Sequence, residues 1–231
     1  MNAIEVRNLT KTYRGHAALD GLNLSLRSGQ IVGLMGDNGS GKTTLLKILA
    51  GVLADWDGEV KVAGYAPGPE SKALVSFFPD TSFLNDGDTC TQAIAQYRRF
   101  FADFDPEKAR EMITFFGLPT DKTLKEMSKG MREKVQIALA MSREAKVYLL
   151  DEPISGVDPA SRSVILNGII RNFSPESLLM ISTHLIHDVE PVIDSAVFLR
   201  HGKILLSGDA DDLRDEYKCG LDAIFRKVYA S

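Results

Sequence analysis

The stretch LMGDNGSGKTTLL (34–46) sets glycines, a lysine and paired threonines between two apolar runs. Gly36, Gly41, Lys42 and Thr43 occupy the fixed places of the pattern G-x-x-x-x-G-K-[ST]. Glycines let backbone N–H groups turn inward around a phosphate chain. A helix starting at the lysine adds its partial positive charge. Lys42 is then expected to reach the β- and γ-phosphates, and Thr43 to hold Mg²⁺. Kinases, GTPases and ATPases all use such a loop, so it names no reaction.

A second group narrows the chemistry. VYLLDEP (147–153) ends an apolar run on two carboxylates. Asp151 suits the Mg²⁺ side of a phosphate site. Glu152, one residue on, points differently and could polarise water for attack on the γ-phosphate. This pair favours hydrolysis over transfer to another substrate. A solvated turn before Pro153 is the plainer reading, but four apolar residues and an upstream phosphate loop argue against it.

These groups need elements to hold them. AIEVRNL and LNLSL alternate as half-buried strands, and IVGLM is a continuous apolar run suited to a strand buried on both faces. KTTLLKILAG reads as a helix closed by Gly51, and GEVKVAG and ALVSFF as further strands. Between about Asp80 and Ala145 the spacing turns helical, with Pro106 at a helix start and Gly117 at a helix end. From Val147 strands and helices alternate, which predicts a parallel sheet with crossover helices. HGKILLSG reads as a hairpin strand, and 210–229 as two helices. The predicted fold class is α/β: a phosphate-loop core with a parallel sheet, an N-terminal antiparallel β portion and an inserted helical subdomain. The division is one domain over 1–231, with its core at 1–79 and 146–208, a helical lobe at 80–145 and terminal helices at 209–231.

Composition bounds the partners. The 231 residues suit one large domain, and 44% hydrophobic residues can bury a real core. The formal net charge of −4 lacks the basic excess of a nucleic-acid surface, so no nucleic-acid partner is expected. Cys90 and Cys219 show neither metal-ligand spacing nor a disulfide framework, which suits a reducing cytoplasm. No apolar run approaches the ~18 residues of a membrane span, so any membrane part is expected from another chain.

LKEMSKGMREKVQIALAM (124–141) opens an amphipathic helix at Ser128, itself a good N-cap residue. It stands just upstream of VYLLDEP, and SGVDP (155–159) and ISTH (181–184) follow. This order of motifs resembles the ATP-binding cassette (ABC) family over nearly the whole chain. The resemblance implies ATP and Mg²⁺ as cofactors. It makes Tyr13 the aromatic that stacks on adenine, with Ala18 near the base. Gly36, Asp37, Asn38, Gly39, Ser40, Gly41, Lys42, Thr43 and Thr44 become the cradle. Ser128, Lys129 and Gly130 match the signature that contacts the γ-phosphate held by a partner subunit. Asp151 and Glu152 match the metal-side aspartate and the catalytic glutamate. Asp158 matches the loop that crosses a dimer interface, and His184 the histidine that senses the γ-phosphate. Two departures stand out. Asp80 in SFFPDTSF replaces the family's Gln beside Mg²⁺, and the signature reads MSKGM where many relatives have LSGGQ.

The SKGM form and the LDAIF segment (221–225) resemble exporters whose membrane subunit is a separate chain. That implies two partners: a second ATPase subunit, identical or similar, and an integral membrane subunit docked on the helical lobe. The place of work is then the cytoplasmic face of the cell membrane, peripherally bound. Eight of the 11 phenylalanines fall between Phe77 and Phe116. Most are expected to fill the lobe's core, leaving a remainder as docking surface. A non-transport ABC ATPase or an importer ATPase remains the alternative.

Overall fold

In the computed structural model, which describes residues 2–230, the chain begins with β1 (Asn2–Tyr13), β2 (His16–Arg27), β3 (Gln30–Met35), α1 (Lys42–Leu49), β4 (Asp57–Val62), α2 (Pro69–Leu74) and β5 (Val75–Phe78). An all-helical stretch follows: α3 (Cys90–Phe100), α4 (Pro106–Phe115) and α5 (Lys129–Met141). Alternation then resumes with β6 (Val147–Asp151), α6 (Pro159–Asn172), β7 (Leu178–Thr183), α7 (Ile186–Val189), β8 (Ser195–Arg200) and β9 (Lys203–Asp209), before α8 (Ala210–Tyr217) and α9 (Leu221–Ala230).

The strands form two sheets. One is antiparallel, in the order β2-β1-β4. The other has six strands in the order β5-β6-β7-β3-β8-β9, all parallel except the terminal β9. The central strands are buried on both faces, and their side chains divide by parity. Tyr148 and Leu150 of β6, Leu179 and Ile181 of β7, and Ala196 and Phe198 of β8 join the helix-side core. Val147, Leu149, Leu178, Met180, Val197 and Leu199 join the core shared with α1 and the antiparallel sheet. This is the period of two expected of a pleated strand.

Register sets the functional end. Met35 lies opposite Thr183, and Asp151 opposite Ser182. The carboxyl ends of β6, β7 and β3 are therefore neighbours, where ligands of open α/β sheets bind.

Two expectations need correction. Ala73 and Leu74 belong to the short helix α2, not to a strand. Pro69 starts that helix, and the N–H of Gly68 donates to the Ser71 hydroxyl at 2.9 Å. The phenylalanines are also less buried than expected. Only Phe78, Phe104 and Phe116 of the eight are buried, and Phe83, Phe100 and Phe115 are exposed. Aliphatic side chains of α3–α5, such as Ile94, Met112, Ile113 and Leu139, fill the space instead. Arg143 ties this region to the sheet: its guanidinium donates to Asp103 at 2.9 Å and to the carbonyls of Val75 (2.5 Å) and Ala73 (3.0 Å).

Candidate functional site

The phosphate loop is the turn between β3 and α1. Gly41 has φ of +113°, a left-handed conformation that favours glycine, and an added Cβ would meet the Ala18 carbonyl at 2.6 Å. Helix α1 has no side-chain cap at its start. Its first N–H groups therefore remain free to meet an anion. Lys42 is only 6% exposed. Its ammonium donates to the Gly36 carbonyl at 2.7 Å and to the Asp37 carbonyl at 3.2 Å.

The end of β6 faces this loop. Asp151 is fully buried, and its Oδ1 accepts from the Ser182 hydroxyl at 2.5 Å. Its other oxygen, Oδ2, is buried without a hydrogen-bond partner among the described residues. Burial raises the Asp151 pKa, the Ser182 and Thr43 hydroxyls pull it back, and the charges of Asp80 and Glu152 add to the rise. Such an orphaned oxygen is a donor in want of a cation.

Glu152 is the point of convergence. Its backbone has φ of +51°, which is strained for a residue with a Cβ. Its N–H is held by the Ser182 hydroxyl (3.0 Å) and the Ser182 carbonyl (3.2 Å). One carboxylate oxygen lies 3.0 Å from His184 Nδ1. The other is 3.3 Å from Lys42 Nζ, an ion pair off the hydrogen-bond line, so that this oxygen lacks a hydrogen-bond partner among the described residues.

Two clefts open here. A smaller one of about 330 Å³ is lined by Tyr13, Ala18, residues 38–44, Asp80 and Glu152. A larger one of about 830 Å³ shares Asn38, Asp80 and Glu152 with it, and adds Lys129, Glu133, Gln136 and His184. Tyr13 is 44% exposed, with one face over the Lys11 ammonium at 5.2 Å. Lys11 is itself held by the carbonyls of Ala54 and Asp55. Gly36 and Asp37, by contrast, line neither cleft.

Ser128, Gly130 and Asp158 line neither cleft. Ser128 caps α5, accepting from the Met131 N–H at 3.3 Å. Asp158 caps α6 through the Ser161 N–H at 3.0 Å, and its pKa is lowered first by the Ser161 hydroxyl and then by this N–H. Another hollow of about 830 Å³, bounded by β1, β2, β8 and β9, is lined by polar and apolar side chains and holds none of these residues.

Sequence reasoning passed over Ser182, which holds both Asp151 and Glu152. Its signal was there, two residues before His184 at a strand end. Glu133 was also missed: its Oε2 is buried without a hydrogen-bond partner among the described residues, and burial raises its pKa.

Parallel sheet, phosphate loop and facing acidic strand end define a nucleotide-binding P-loop class. The profile of the family described as "ABC transporter" matches residues 19–155. The chain is 28% identical to the ABC transporter ATP-binding protein YtrB of Bacillus subtilis over 217 residues, covering 93% of this chain and 74% of that protein. It is 29% identical over 220 residues to the daunorubicin/doxorubicin resistance ATP-binding protein DrrA of Streptomyces peucetius, covering 92% and 67%. A solved ATP-binding subunit of an ABC transporter superposes with a TM-score of 0.87 at 26% identity, covering 98% of this chain and 99% of that one. The chain belongs to the ABC transporter family, as an ATP-binding subunit of the kind that couples ATP hydrolysis to transport.

Proposed function

We propose that this chain powers export: two ATPase subunits, identical or similar, close head-to-tail on two ATP molecules and drive a separate membrane subunit docked on α3–α5. The observation that carries the hydrolytic part is the placement of Glu152 between Lys42 and His184. Ser128 and Asp158 line neither of their own chain's clefts, which fits contacts to a nucleotide held by a second copy. DrrA, by its name a daunorubicin and doxorubicin resistance protein, favours outward transport. Among the described residues no helix is long and apolar enough to cross a membrane. In this reading the membrane part is supplied by a partner, with this chain at the cytoplasmic face.

The chemistry follows from the residues. Tyr13 stacks on adenine, with Ala18 beside it, and the N–H groups of Asn38 to Thr44 wrap the phosphates. Lys42 leaves the Gly36 and Asp37 carbonyls for the β- and γ-phosphates, which releases Glu152 from its ion pair. Glu152 then holds the attacking water and takes its proton as oxygen bonds to the γ-phosphorus and ADP departs. His184, on the far carboxylate oxygen, fixes the direction of Glu152. Among the described residues no cluster of three or more His, Cys, Asp and Glu side chains forms a metal cage. Mg²⁺ on phosphate oxygens needs less than that, and the orphaned Asp151 Oδ2 with the Thr43 hydroxyl fits it. Bound there, Mg²⁺ would neutralise charge on the β- and γ-phosphates. Asp80 lines the same cleft and would join through water.

The dimer is tested with Glu152→Gln, which keeps the cradle and removes the base. With ATP this variant elutes from size exclusion as a dimer, and without nucleotide as a monomer. A monomer at every ATP concentration would overturn the head-to-tail reading.

A further inference from the structure

The phosphate loop is braced from behind by a residue almost two hundred positions away. Helix α9 lies on β8, where Phe225 meets Phe198 edge-on at 5.7 Å and packs on Tyr229 at 4.0 Å. The Arg200 guanidinium sits over the Tyr229 ring at 5.3 Å. These contacts aim the Tyr229 hydroxyl at the rear of the loop. It donates to the Leu199 carbonyl and accepts from the Asp37 N–H at 3.2 Å. Burial raises the phenol's pKa, so the hydroxyl keeps the proton it donates.

The Asp37 N–H and the Gly36 carbonyl belong to one peptide unit, which is planar and rigid. Tyr229 holds its N–H side, and Lys42 Nζ holds its C=O side at 2.7 Å. No side chain fits beside it. A Cβ on Gly36 would lie 2.3 Å from the Leu199 carbonyl oxygen, 2.6 Å from Ser40 Oγ and 3.0 Å from the Tyr229 oxygen. The Gly202 N–H, donating to the Ser40 carbonyl at 2.9 Å, braces the loop a second time.

We infer that Tyr229 is a positioning residue for ATP binding: its hydroxyl fixes the 36–37 peptide, and through it the resting place of Lys42 and the mouth of the cradle. This rests on the reading of residues 36–44 as the phosphate cradle. When Lys42 turns to the phosphates it leaves the Gly36 carbonyl, and Tyr229 then holds that peptide alone. Without the hydroxyl, the loop must be ordered at the expense of ATP affinity.

The test is Tyr229→Phe, which keeps the ring packing and deletes the hydroxyl. Tyr148→Phe serves as control: Tyr148, buried where Tyr229 is half-buried, likewise donates to a backbone carbonyl, that of Arg143, but near the opposite end of its strand. ATP titration of the whole chain should show Tyr229→Phe weakened about fivefold, the loss of one hydrogen bond at 1.4 kcal/mol per tenfold. KM for ATP should rise in step, with kcat at saturation unchanged, and the Asp37 amide resonance should move. Tyr148→Phe should bind ATP as the wild type does, whatever stability it loses. Wild-type affinity in Tyr229→Phe, or equal weakening in both variants, overturns the inference. If Lys42→Ala binds ATP as tightly as the wild type, the cradle reading itself falls, which is a separate outcome.

Discussion

Ser182→Ala removes one oxygen atom from a fully buried site and is expected to damage two carboxylates at once. Ser182 Oγ donates to Asp151 Oδ1 at 2.5 Å and accepts from the Glu152 N–H at 3.0 Å. Asp151 Oδ2 already lacks a hydrogen-bond partner among the described residues, and the substitution takes Ser182 from Oδ1. A hydrogen bond to a charged group contributes about 1.5–3 kcal/mol. The Glu152 N–H keeps the Ser182 carbonyl at 3.2 Å, so its loss is the smaller one. The sum is about 2 kcal/mol. For a chain of this length each kcal/mol moves Tm by roughly 2–4 °C, so Tm should fall by about 4–8 °C. Turnover should fall further than stability implies, because the strained Glu152 backbone loses half its anchor. A displaced base costs roughly 10- to 100-fold in kcat. Calorimetry of the nucleotide-free chain and ATP turnover at a temperature where both proteins are folded read the two effects. A variant with wild-type Tm and wild-type turnover would refute Ser182 as the support of both carboxylates.

Two further outcomes follow from the same region. Burial raises the Glu133 pKa above the ordinary value of 4.5, so above that pH the folded chain keeps a proton that the unfolded chain has lost. Stability therefore falls as pH rises through this window, and Glu133→Gln should be more stable by about 1 kcal/mol near pH 7.5 and not near pH 4, by urea midpoints at each pH. Asp80→Ala should keep basal ATPase within about twofold of wild type, since Glu152 and Lys42 are untouched, and lose the stimulation given by the membrane subunit. Equal stimulation of mutant and wild type would remove Asp80 from coupling.

What could be read from the sequence was what phosphate chemistry and strand geometry fix locally. The spacing of Gly36, Gly41, Lys42 and Thr43 follows from wrapping a phosphate with backbone N–H groups. The alternation of β1 and β2, and the unbroken apolar run of β3, follow from which faces are buried. Tertiary effects stayed hidden. The ESKAL stretch turned helical because Pro69 and Ser71 start it, against the strand propensity of the VSFF that follows. Phe100 and Phe115 remained at the surface because aliphatic side chains took the interior. Ser182 gave a weak signal because serine at a strand end is commonplace. Tyr229 gave none: its partner, the Asp37 N–H, is 192 residues away and is met only once α9 folds back on β8.

Turnover of Glu152→Gln beside Lys42→Ala tests the central claim most directly, namely that ATP held by the loop is hydrolysed with Glu152 as base. Both are measured with Mg²⁺ and saturating ATP, alongside nucleotide affinity. Glu152→Gln should bind ATP at least as well as wild type, since it frees Lys42 from the 3.3 Å ion pair, and its kcat should fall about 10²–10⁴-fold. Lys42→Ala should lose affinity itself, having lost a charge-assisted contact. Hydrolysis by Glu152→Gln at near the wild-type rate would contradict the assignment outright.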